Sequence, residues 1–133
     1  MKLASLVVFA ACGTPKPAPT TPAKFEMQTY QLVLLRRGPA WTPEETPDTK
    51  RIFERHMANI QAMAAKCKLV VAGPIDSPQT DRTALAGIFV FDAPRAEVDE
   101  LLKHDPAVEI GRLVPEIHVW YSDAQHAKRC KPH

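Results

Sequence analysis

Two residues break the apolar pattern of the segments that hold them, and both can carry a proton. In "RIFERHMANIQAMAAKC", Phe53, Met57, Ile60, Ala64 and Cys67 form one stripe at helical spacing, and His56 falls at its edge. In "APRAEVDELLKHD" the stripe is Val98, Leu101 and Leu102 and then Asp105, while His104 lies off it. An imidazole and a carboxylate turned inward make a definite unit. The carboxylate selects the ring's tautomer and stabilises its protonated form, which prepares the ring for general acid or base work. The same contact would also serve as a hydrogen bond tying helix to helix, and the residues alone leave both roles open. Pro106 disfavours the helical conformation at Asp105, so the carboxylate is expected to close its helix. There the helix dipole and burial push its pKa up, and a protonated histidine pushes it down.

Bringing the pair together is the task of the surrounding elements. Residues 29–38, 69–75, 84–92 and 116–122 read as strands, and residues 51–67 and 93–105 as helices. Two helix-start signals precede the first helix, at Thr42-Pro43 and at Thr46-Pro47. The order β-α-β-β-α-β is the split βαβ arrangement of α+β, ferredoxin-like domains. Its two helices run antiparallel on one sheet face, so the start of the first and the end of the second meet at one end of the sheet. Topology therefore carries His56 toward Asp105. The strands are apolar on both faces: Val33 and Leu35 oppose Leu32 and Leu34, and Phe89 and Phe91 oppose Ile88 and Val90. Such strands are buried on both sides. One chain lacks the elements to cover the second face, which predicts a homodimer closing sheet on sheet; a ligand or another protein is the competing cover.

Several segments in order, "RRGPAWTPEETP", "HMANI", "LVVAGPI", "GIFVFD", "DPAVEIGRL" and "EIHVWY", resemble the YciI-like (YCII-related) domain family over most of residues 29–121. The resemblance implies a dimeric α/β barrel built on the ferredoxin-like fold. It also implies a His–Asp pair proposed as an active site, here His56 and Asp105, with elimination or isomerisation of aromatic breakdown products as the known chemistry of a few relatives. Where the family usually ends its first helix on glycine, this chain has Cys67, which would take the left-handed conformation at some cost.

Other residues are weaker candidates. His118 and Trp120 share one face of the last strand and would line a cavity on the dimer side, or simply form an edge and an interface. Arg112 and Glu116 follow the "DPAVEIG" turn and would select a charged substrate, unless they are surface residues. The five histidines show no His-x-x-x-His spacing and the cysteines no Cys-x-x-Cys. His126, Cys130 and His133 would chelate a metal only weakly from a tail. No phosphate-cradling glycine loop is present, and no cofactor is implied.

The 133 residues hold one domain with something left over. A net charge of +2, with no basic run interleaved with aromatics, argues against nucleic acid as a partner. "MKLASLVVFAACG" has one positive charge and an apolar run too short to span a bilayer, and fits an export signal over residues 1–11. "FAAC" resembles a bacterial lipobox, which would place lipid on Cys12 and the protein in the cell envelope, tethered to a membrane. Residues 12–24 hold four prolines in "GTPKPAPTTPAK" and would form a spacer of roughly 35–40 Å. The domain proper is expected over 25–123, with a flexible tail over 124–133. With Cys12 lipidated, Cys67 and Cys130 remain, free, paired with each other, or paired between the tails of a dimer.

Overall fold

The computed structural model describes residues 24–125 and Cys130. The expected signal, nearly all of the tether, Cys12, His126 and His133 lie outside the described residues. The chain runs β1 (Met27–Arg37), α1 (Pro47–Ala65), β2 (Leu69–Pro74), β3 (Leu85–Phe91), α2 (Arg95–Lys103), α3 (Pro106–Glu109) and β4 (Leu113–Asp123). The strands form one sheet in the order β2-β3-β1-β4, each neighbouring pair antiparallel. This is the α+β, ferredoxin-like βαββαβ fold, with the four-residue α3 added after α2.

Alternation along the strands decides which side chains meet the helices. Val33 pairs across the sheet with Phe89 on one side and Ile117 on the other. Val33, Leu35, Phe89, Phe91 and Leu69 pack with Met63 of α1 and with Val98 and Leu102 of α2 to form the core. The opposite face carries half-buried Leu32, Leu34 and Ile88 beside exposed Val71, Val114 and Trp120. No described element covers that face.

Of the two start signals, Thr46 is the one used. Its hydroxyl accepts from the Thr49 amide at 3.2 Å, and the Thr49 hydroxyl accepts from the Thr46 amide at 2.9 Å, so threonine closes the box in place of glutamate. At the other end, the Cys67 amide donates to the Ala64 carbonyl and the Lys68 amide to the Met63 carbonyl, the two hydrogen bonds of a Schellman motif. That motif needs a left-handed residue, and Cys67 supplies it at φ 57°. Cys67 is also disulfide-bonded to Cys130, with Cα atoms 5.6 Å apart. The pairing left open by the sequence is thus intrachain.

The inward line of α1 is rotated from the expected stripe. His56 and Met63 are buried, whereas Phe53 is 61% exposed and Met57 sits near the surface. The helix packs closely through Ile60 and Met63, while its first turns stand over small strand residues, Ala72, Ala86 and Gly87, and bound a cavity there.

Candidate active site

Asp105 is not the last residue of a helix, as its position before proline suggested. It stands between α2 and α3 and is the N-cap of α3, with Pro106 at the first helical position. Its Oδ1 accepts from the Ala107 amide at 3.0 Å and from the Val108 amide at 3.3 Å. The signal was in "DPAVE": aspartate before Pro at the first helical position is a start, as much as proline is a stop. The carboxylate therefore faces the favourable end of a short run of free amides, and the apparent conflict with the dipole of α2 disappears.

The remaining acceptor capacity goes to α1. His56 Nδ1 lies 2.9 Å from Oδ1 and 2.8 Å from Oδ2 of Asp105, and Asn59 Nδ2 donates to Oδ2 at 2.9 Å. Asn59, being polar, falls outside the apolar stripe, yet it lies one turn beyond His56 on the same side of the helix. Burial is the largest influence on the Asp105 carboxyl and raises its pKa; donation from His56, Asn59 and the Ala107 amide, with the charge of His56, more than reverses this. The net position is below the usual aspartate value, so the group is ionised at neutral pH. An ionised carboxylate only accepts, so the His56 Nδ1 must carry a proton toward it.

The two members of the pair differ in access. Asp105 is 0% exposed and His56 8%, yet His56 lines a cavity of about 500 Å³. Nδ1 is turned to Asp105, and Nε2, on the far side of the ring, meets no described protein donor or acceptor and is not among the sealed polar atoms. The ring also lies nearly parallel to Phe89, with centroids 6.0 Å apart. The arrangement is a sealed carboxylate behind an imidazole whose free nitrogen is open to an apolar space.

A close backbone contact shapes one wall of that space. A Cβ on Gly38 would lie 2.2 Å from the Gly111 carbonyl oxygen, and Gly111 itself has φ 74°. With glycine at both positions, the Gly38 amide reaches the Arg112 carbonyl and the Ala40 amide the Gly111 carbonyl. The turn after β1 is thereby held against the turn before β4, and Trp41 and Arg112 both line the cavity.

The weaker candidates separate. Arg112 is at the cavity. Glu116, His118 and Trp120 are on the uncovered sheet face, away from it. There Glu116 accepts from Arg36 at 2.9 Å and meets His118 Nε2 at 2.8 Å, and Trp120 stands opposite Tyr30 across the strands, ring centroids 5.9 Å apart. The Arg36 bond, then that of His118, hold the Glu116 carboxyl below its usual pKa. No group of three or more His, Cys, Asp or Glu among the described residues is placed to hold a metal ion.

No family model matches the chain, and no curated protein matches it. Among solved structures, the chain is similar to 5-chloro-2-hydroxyhydroquinone dehydrochlorinase (TftG) from Burkholderia phenoliruptrix AC1100, in complex with 2,5-dihydroxybenzoquinone. The identity is 19%, the likeness covers 67% of this chain and 92% of that one, and the TM-score is 0.41. At that level the architecture is read from this chain's own sheet and helices.

Proposed function

We propose that this chain is a YciI-like domain that binds a small molecule in the cavity beside His56 and moves a proton with that residue, as an elimination or isomerisation step requires. The observation that carries the reading is the division of labour in the pair. Asp105 holds Nδ1, so a neutral His56 presents the lone pair of Nε2 to the cavity as a base, and the protonated ring returns the proton as an acid. A pair that served only to join two helices would have no need of an open nitrogen.

The test is deuterium incorporation from D2O into a panel of small cyclic ketones and lactones, followed by proton NMR with His56→Gln in parallel. Parent protein should exchange at least one probe faster than His56→Gln by about 10²–10⁴-fold, the range for a positioned general base. Equal exchange by both proteins would sink the reading. A His56→Gln protein destabilised by several kcal/mol, with no exchange by the parent, would favour the helix-joining role.

A second copy is the proposed cover for the apolar sheet face, which joins Leu32, Leu34 and Ile88 to exposed Val71, Val114 and Trp120. Light scattering should return twice the chain mass, and Leu34→Lys should return one; a parent protein that is monomeric at high micromolar concentration rules the cover out. Export to the envelope, with lipid on Cys12, is proposed from the N-terminal residues. The Cys67–Cys130 disulfide supports it, because such bonds persist outside reducing compartments.

A further inference from the structure

The cavity beside His56 is walled mainly by apolar groups, yet three arginines from separate parts of the chain converge on Trp41 and Thr42 at its wall. Arg37, ending β1, lies under the Trp41 ring with its guanidinium carbon 4.1 Å from the ring centroid. Arg82, from the loop between β2 and β3, donates to the Trp41 carbonyl at 3.0 Å. Arg112 donates to the Thr42 hydroxyl at 3.3 Å and the Thr42 carbonyl at 3.0 Å, and itself lines the cavity.

No described carboxylate forms an ion pair with any of the three. Arg37, only 9% exposed, donates to the carbonyls of Ser77, Pro78 and Asp81. The Asp81 carboxylate accepts from Thr83, and those bonds, with a smaller effect from the charge of Arg37, hold its carboxyl below the usual pKa. Glu45, just before α1, pairs with Lys50, and Asp48, in the first turn of α1, pairs with Arg51. Carbonyl dipoles hold Arg82 and Arg112 in place without cancelling their charge, while the Asp81 carboxylate offsets part of that of Arg37. Beside low-dielectric walls, such uncancelled charge focuses a positive potential into the cavity. Of the three, the half-buried Arg112, its fork steadied by Thr42, is the one that lines the cavity.

We propose that the cavity takes a small organic monoanion, its ring-sized apolar body against Phe89 and His56 and its carboxylate or comparable anionic group on Arg112; this rests on reading the cavity as the ligand site. A space of about 500 Å³ accommodates a substituted ring. Arg112 then selects by charge, and His56 acts on whatever part of the body reaches Nε2.

Benzoate and its neutral isostere benzamide, titrated into the full-length protein and followed by protein NMR, separate charge from shape. Benzoate should bind at least about tenfold tighter, as a charge-assisted hydrogen bond would give, and added sodium chloride should narrow the gap. Arg112→Gln should erase the preference, Arg112→Lys retain part of it, and Arg82→Gln, at an exposed position, reduce it by a smaller factor. His56→Ala, which removes part of the surface the ring packs on, should weaken benzoate and benzamide alike while their ratio persists, so failure of the proton-transfer reading would not remove the preference. Equal binding of the two probes, no binding of either, or a preference unchanged in a folded Arg112→Gln would overturn the proposal. Proton exchange on neutral ketones that survives such a result would leave the His56 reading standing alone.

Discussion

Asp105→Ala should lose about 3–5 kcal/mol of stability, the range for removing one partner of a buried pair together with a helix cap. The side chain accepts from four donors: His56 Nδ1, Asn59 Nδ2 and the amides of Ala107 and Val108. All four would be left without their acceptor in a place that water reaches poorly. Asp105→Asn separates stability from chemistry. It keeps the volume and one acceptor, but its amide would donate to His56 Nδ1, so the proton moves to Nε2 and the base lone pair turns away from the cavity. Proton exchange should then fall by about 10²-fold or more while the fold survives at neutral pH. Exchange at the parent rate in Asp105→Asn would refute the orienting role.

The same residue sets an acid limit. Its folded pKa lies below the unfolded value of about 3.9, so its contribution is complete well above that pH. Protonation of the unfolded chain begins to erode that contribution as pH falls toward 4, and it is gone once pH drops below the folded value. Urea titrations between pH 6 and pH 2 should show this acid-side slope in the parent and a shallower one in Asp105→Asn. Equal slopes would mean that another carboxylate governs acid unfolding.

Reduction of the Cys67–Cys130 bond should cost up to about 4 kcal/mol, since the bond closes a loop with sequence separation 63 and so restricts the unfolded chain. The Schellman geometry adds a second expectation. Once the bond is gone, Cys67 keeps only the cost of a left-handed φ of 57°. Cys67→Gly in a Cys130→Ala background should therefore recover about 1 kcal/mol relative to Cys67→Ala in the same background. Denaturant midpoints at constant m-value measure both effects. Protein alkylated during extraction should show neither thiol if it is exported; both thiols free would count against the envelope reading.

Much of the fold was legible in the chain. Short apolar runs in residues 29–38 and 84–92 marked the two central strands, helical spacing in 51–67 and 93–105 marked the long helices, and element order implied the antiparallel helix pair that joins His56 to Asp105. These are local patterns, continuous apolar runs for strands buried on both faces and a 3.6-residue period for helices with one buried face. The roll of α1 was not legible. Phe53 and Met57 are as apolar as Met63, and only the small residues on the strands beneath decide which of them is covered.

The division at the site has the same origin. The amino-acid sequence by itself determined that an imidazole and a carboxylate interrupt two apolar stripes, that the fold brings them to one end of the sheet, and that Cys67 stands where a left-handed cap is needed. Only the tertiary structure decided that Asn59 shares the Asp105 carboxylate, that the ring opens to a cavity, and that three arginines gather at Trp41 and Thr42. Most of those contacts join residues more than forty positions apart, and a local pattern carries no information about the gap between a helix and the sheet under it. Side-chain volumes summed across several strands set that gap, and it exists only once the chain has folded.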